Sequence, residues 1–368
     1  MLRAIRKGCD FSLNLSTVFT GIMNNVPQII LAIFVFGLLI FVHELGHFLA
    51  AKRSKIKVNE FALGMGPAFF KRQRGDTAYS LRLFPIGGFC AMEGGDEESD
   101  DEHSFNKASL INRMLVNIAG SAMNLLLGLL ILGILSANMP ALGTTTIAAF
   151  GEGAVSNQWL QVGDTVKKID NRRVRTANDI IYELIRSRDG IMDIEVERRD
   201  ADGKLHTVLL RSVAFHMEEV EDGIMFITQD FKFLGVKPTF FGVIINSFNW
   251  TYSIVRQVWG GFADLVTGRY GLNQISGLVG VTSAIGQASS FGWESLFMLI
   301  AIISVNLAVF NLLPLPALDG GKMIFLLIEA VRRKPVNPRY ENLVHGIGFL
   351  LLIGLMILVT VNDISKIL

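Results

Sequence analysis

Apolar and polar positions in this chain do not alternate evenly; the apolar ones gather into long blocks. Four blocks, 28–51, 113–137, 293–313 and 343–361, predict bilayer-spanning helices, since about 20 apolar residues at 1.5 Å each cross the hydrocarbon core. The second is dotted with small residues (Ala119, Gly120, Ser121, Ala122, Gly128), which suits close helix packing in lipid. The first block reads as a retained helix. Arg3, Arg6 and Lys7 lie too far from it, and it is too long, for a cleaved signal peptide. Residues 1–27 form an N-terminal extension with no assignable role.

Between the blocks the period changes. In the 52–112 loop, Phe61–Phe70 and Thr77–Met92 alternate apolar with polar residues around Gly64, Gly66, Pro67, Pro85, Gly87 and Gly88, predicting short strands near the membrane surface. The acidic run Asp96–Glu102 reads as a solvated loop. Segment 144–215 reads as a small α/β domain. Strands fit Thr144–Phe150, Thr165–Ile169, Met192–Arg198 and Leu205–Val213. A helix fits Asn178–Ser187, with Thr176 and Asp179 spaced as a capping box. Asp202-Gly203 marks a hairpin. Segment 240–266 carries Phe241, Phe248, Trp250 and Trp259 beside Asn246, Arg256 and Gln257; it predicts an amphipathic helix lying in the interface. Segment 314–342 reads as a loop.

Composition supports a membrane protein: 51% of the 368 residues are hydrophobic and only 18% charged, outside the soluble range. A net charge of +1 supplies no field for nucleic acid. Cys9 and Cys90 are too far apart for metal-ligand spacing and too few for a disulfide framework. Lys52, Arg53, Lys55, Lys57 and Lys107 in the first loop, and Lys322, Arg332, Arg333, Lys334 and Arg339 in the third, place both loops in the cytoplasm. The termini and the long second loop then lie outside.

The candidate chemistry begins at His43-Glu44-Leu45-Gly46-His47. On a helix, positions i and i+4 share a face, so both imidazoles can bind one cation, with Glu44 placed as general base. Zinc suits nitrogen and oxygen ligands, and a catalytic site takes three from the protein. Two histidines and a glutamate inside an apolar span are costly unless they work. Candidates for the third ligand are His103, His206, His216, His345 and any carboxylate near the membrane. Asp319 stands out at the end of the third span, after Pro314 and Pro316; the plainer alternative is an ordinary turn aspartate before glycine. The first and third spans cross in the same direction and carry their motifs at their C-terminal ends, so the two motifs share a depth.

With His43-Glu44-Leu45-Gly46-His47 in the first span, Asn311 through Pro314-Leu315-Pro316-Ala317-Leu318-Asp319-Gly320 in the third, and a domain inserted before it, the chain resembles the site-2 protease family of intramembrane zinc metalloproteases. Within that family it looks like the bacterial regulator-of-sigma-E branch, which cleaves anti-sigma factors and signal-peptide remnants. The resemblance implies a polytopic α-helical membrane protein of the plasma (inner) membrane, with four core helices and zinc held between the first and third. It implies that 144–215 is a PDZ-like domain, on the Gln161-Val162-Gly163-Asp164 to Asn171 segment, and that the 61–92 strands help present substrate. Asn311 matches a family asparagine that engages the substrate backbone. The implied partners are single-span membrane proteins and the lipid bilayer. Trp159 and Leu278 depart from the family pattern, where glycine and proline are usual. A non-catalytic scaffold and a proton-relaying transporter are the rival readings; the sequence lacks the repeated halves of the latter.

Overall fold

The computed structural model describes residues 26–95, 99–187, 189–220, 224–227, 230–268 and 276–367. Most of the N-terminal extension, Cys9 and the start of the acidic run lie outside them. Among the described residues, four helices are long and apolar enough to cross a membrane: α1 (Val26–Arg53), α2 (Leu110–Asn138), α6 (Trp293–Asn311) and α8 (Pro338–Ile367). Each contains most or all of one predicted block. The chain divides into two compact units.

The first unit gathers the chain up to Val116 with Leu272–Leu296 and Phe325–Leu368. Helix α1 buries Ala32, Val35, Leu39, His43, His47 and Ala51 along one stripe, while Ile30, Phe34, Phe41 and Leu49 face outward. That spacing of three and four is the signature of one helix face. It turns both histidines inward and leaves an apolar face for lipid. Lys52 and Arg53 close the last turn, where cations oppose the negative end of the helix dipole.

Strands β1 (Val58–Arg74) and β2 (Thr77–Met92) follow. They pair twice: Glu60 faces both Ala91 and Ala78, and Leu63 faces both Gly88 and Leu81. The run 58–63 therefore lies between two stretches of β2, and the outer run 70–74 pairs again with 77–81. A hairpin this bent needs glycine at its folds. Gly64 has φ +87°, and a Cβ there would sit 2.6 Å from the Phe84 carbonyl oxygen. Beyond this, helix α5 (Leu278–Ser290), which the sequence pattern did not announce, is capped from α8. The Asp363 carboxylate accepts from the Gly277 and Gly280 amides at 2.8 and 2.9 Å.

The second unit holds Asn117–Gly271 and Phe297–Ile324. Helices α2 and α6 approach closely at Gly128, where a Cβ would lie 2.5 Å from Val305 Cγ2. Ser304 Oγ donates to the Asn124 carbonyl at 2.8 Å. Of the small residues of the second block, Gly128 serves this packing.

The inserted segment forms an antiparallel sheet from β3 (Leu142–Phe150), β4 (Thr165–Ile169), β5 (Arg172–Arg173), β6 (Ile191–Arg199), β7 (Leu205–Ala214) and β10 (Phe231–Val236), in the order β10-β3-β4-β6-β7 with β5 beside β4. A separate hairpin, β8 (Met217–Val220) and β9 (Ile224–Ile227), precedes β10. The sheet therefore takes in a strand beyond the 144–215 segment. Ile147, Val166, Ile169, Ile194, Val196 and Phe231 form its core with Ile180 and Leu184 of helix α3 (Ala177–Arg186). The predicted capping box is present: Thr176 Oγ1 accepts from the Asp179 amide, and Asp179 accepts from the Thr176 amide.

Helix α4 (Phe240–Val266) lies against α3 through buried charge. The Arg186 guanidinium forks onto Asp264, and Arg256 reaches Asp179 at 2.9 Å and Glu183 at 3.4 Å. Burial pushes the Glu183 carboxyl up to about 7, against the pull of Arg256, so this network is fully charged only above neutral pH. Asp264→Ala removes the carboxylate that Arg186, only 11% exposed, grips with two nitrogens, and leaves it Glu183 at 4.0 Å. We expect a loss of about 3 kcal/mol, since removing one partner of a buried pair leaves the remaining charge poorly compensated. Thermal unfolding of the detergent-solubilised protein at pH 8 checks it.

Candidate metal centre

Helix α1 presents His43 and His47 one turn apart on its buried face. Their rings meet edge to face at 4.8 Å between centroids, and their Nε2 atoms are 3.2 Å apart. The Nδ1 atom of His47 lies 2.8 Å from the Val116 carbonyl oxygen on α2. A carbonyl only accepts, so Nδ1 carries the ring proton and Nε2 keeps its lone pair. That is the tautomer a metal ligand needs, and the same bond fixes the ring's orientation. Val116 is held in turn by the small core of Ala51, Ile56 and Val58.

The spacing of the nitrogens tests whether zinc fits. Bonds of about 2.0–2.1 Å in a tetrahedron set ligand nitrogens roughly 3.3 Å apart, matching the observed separation. Glu44 follows His43 directly. The β2 backbone passes beside it at Gly88, where a Cβ would lie 3.2 Å from Glu44 Cγ and 3.0 Å from Ile40 Cγ2.

Asn311 is the last residue of α6. The chain then turns through Pro314 and Pro316, neither of which can continue a helix by donating an amide. Leu315 donates to the Leu313 carbonyl at 2.7 Å, and Ala317 takes a left-handed φ of 72°. Asp319 opens a new helix, α7 (Asp319–Arg332). A 14-residue helix thus occupies the middle of the 314–342 connection, with an acidic residue in its first turn, where the dipole favours it. The turn is tight. A Cβ on Gly320 would lie 2.1 Å from the Leu313 carbonyl oxygen and 2.5 Å from that of Leu312.

One ligand atom each from His43, His47 and Asp319 lie within 4.8 Å of one another, a set able to hold a metal ion. Among the described residues it is the one such group of three. Two of the alternative ligands have other company: His206 lies 2.6 Å from Asp200, and His103 is 3.7 Å from Asp101. Sequence reasoning missed the Val116 carbonyl, because a backbone acceptor leaves no trace in residue type. It also missed the role of Gly320, although a Gly-Gly pair after an aspartate hinted at a close approach.

Comparison with known proteins adds an independent line. Residues 31–355 match the profile of peptidase family M50. A Clostridium perfringens protein named as a zinc metalloprotease is 37% identical over 349 residues, covering 91% of this chain and 98% of its own length. The zinc metalloprotease RasP of Geobacillus kaustophilus is 32% identical over 430 residues, covering 94% and 99%. The regulator of sigma-W protease RasP of Bacillus subtilis is 29% identical over 436 residues, covering 93% and 99%.

Proposed function

The chain belongs to peptidase family M50, and from that membership and its buried histidine pair we propose that it is a site-2 type zinc metalloprotease hydrolysing peptide bonds within or near the transmembrane segments of single-span proteins. The carrying observation is the His43–His47 pair, with Nε2 atoms 3.2 Å apart and the His47 ring proton directed at a backbone carbonyl. His43, His47 and Asp319 would hold the zinc. When bound, zinc supplies Lewis acidity, polarising the scissile carbonyl and making hydroxide accessible near neutral pH.

The chain's own residues do the rest. Glu44 takes the proton of the attacking water and passes it to the leaving amine. A substrate helix hides its backbone in internal bonds and must unwind before attack. Asn311, at the end of α6, offers a carboxamide that both donates and accepts, suited to an exposed peptide group. The β1–β2 element, whose Gly88 passes next to Glu44, holds the opened segment extended, as an added strand is held.

The 142–236 sheet with α3 is a PDZ-like domain, and α4 lies in the membrane interface with its exposed Phe240, Phe241, Ile245 and Phe248 in lipid. Basic loops put the active site toward the cytoplasm and the PDZ-like domain outside the plasma membrane. The substrates are anti-sigma factors or signal-peptide remnants; the RasP relative of Bacillus subtilis is named for regulating sigma-W.

The test is metal analysis of purified protein with cleavage of a single-span substrate. Wild type should carry one zinc per chain, and Asp319→Asn should lose most of it. A chain without zinc, or Asp319→Asn with full occupancy, removes the reading or its third ligand respectively.

A further inference from the structure

Resting on that reading of the metal site, we propose that the Arg113–Glu329 ion pair is a positioning device for zinc, setting the roll of the helix that carries Asp319 against the helix that orients His47. Arg113 lies in the first turn of α2 and Glu329 near the end of α7. Their side chains are 11% and 18% exposed. The guanidinium grips the carboxylate with both forks: Nη1 donates to Oε2 at 3.1 Å and Nη2 donates to Oε1. Two parallel bonds fix orientation as well as distance.

Stability alone is a poor account of this pair. Taking two charges out of water costs about as much as their attraction returns, and an apolar pair of similar volume serves equally well. The Arg113 Nε is moreover buried with no hydrogen-bond partner. Fixing register is the best-attested use of such pairs, and the surroundings supply something to register. Arg113 and Val116 are three residues apart and so share a face of α2. Val116 holds the His47 ring. Glu329 and Asp319 sit on one 14-residue helix, about 15 Å apart along its axis at 1.5 Å per residue. A helix this short turns as a rigid body. With a carboxylate on the order of 6 Å from the axis, a 10° roll moves Asp319 by about 1 Å. Metal ligands tolerate about 0.2 Å. One face of α2 thus gauges two ligands, His47 through a carbonyl and Asp319 through Glu329.

The test compares wild type, Glu329→Gln, Arg113→Lys and the charge-swapped double variant Arg113→Glu with Glu329→Arg, each full length in detergent. Zinc release to an excess of a chromogenic chelator is timed beside thermal unfolding of the apo forms. Losing a partner that orients a metal ligand costs about 10–100-fold in metal affinity, so we expect release about 10-fold faster in Glu329→Gln and Arg113→Lys, with partial recovery in the swap. Arg113→Lys keeps the charge but loses the fork, so slow release there, like unchanged release in Glu329→Gln, overturns the proposal. Faster release that merely tracks the fall in apo melting temperature, with no recovery in the swap, also overturns it. Absence of zinc from wild type instead defeats the metalloprotease reading itself.

Discussion

Glu44→Gln is expected to leave zinc content at the wild-type level while lowering substrate cleavage by about 10²- to 10⁴-fold, the usual contribution of a general base. The substitution is close to isosteric. Glutamine fills the same space beside Ile40 and the Gly88 backbone, so α1 and its contact with β2 should persist. It removes one capacity, that of accepting a proton from the attacking water. His43, its neighbour in sequence, and His47 are untouched, and the His47–Val116 bond that sets the ring tautomer does not involve Glu44. Metal content and turnover should therefore part company. Measuring zinc per chain and the cleavage rate on one preparation settles the matter: undiminished cleavage takes Glu44 out of the chemistry, and coincident loss of zinc makes it a structural support instead.

The sequence carried the spans and the histidine motif because the bilayer enforces both. Backbone groups in lipid must be satisfied within a helix, so apolar blocks of sufficient length have one solution. Polar residues inside such a block have no innocent explanation, which is why His43, Glu44 and His47 were legible. The α3 helix was legible for a local reason, its Thr176–Asp179 capping box. Features that depend on contacts distant in sequence were not. The double pairing of β1 with β2 arises from folds at Gly64 and Gly87, which alternation alone cannot distinguish from a plain hairpin. Strand β10 follows two short strands and finds its partner, β3, some eighty residues back. Helix α7 carries too short an apolar run to read as a span and begins immediately after two prolines, the usual mark of a loop. The Val116 carbonyl and the Arg113–Glu329 pair come from folding alone.

Gly320→Ala is expected to abolish both zinc retention and cleavage, although it adds one methyl group to a residue that is not itself a ligand. Backbone conformation is not the obstacle, since Gly320 has no positive φ. The obstacle is space: the new Cβ would stand 2.1 Å from the Leu313 carbonyl oxygen and 2.5 Å from that of Leu312, distances that real Cβ atoms do not show. Neither obstruction is the flexible end of a side chain. Both belong to the turn linking α6 to α7, whose Leu313 carbonyl already accepts from Leu315 and whose Leu318 carbonyl accepts from Gly321. Relief requires the turn or the start of α7 to shift by on the order of 1 Å, against a ligand tolerance of about 0.2 Å. Asp319 is the adjoining residue, so the displacement falls first on the proposed third ligand. Overpacking of this kind costs about 1–3 kcal/mol of stability, modest for a chain whose spans are held by lipid and by one another. The variant should therefore still fold and insert, with an unfolding transition lowered by a few degrees, while its zinc content falls toward that of Asp319→Asn. Full zinc occupancy with wild-type turnover would mean that the turn yields without moving Asp319, and that the close approach of Gly320 to these two carbonyls has no part in holding the metal.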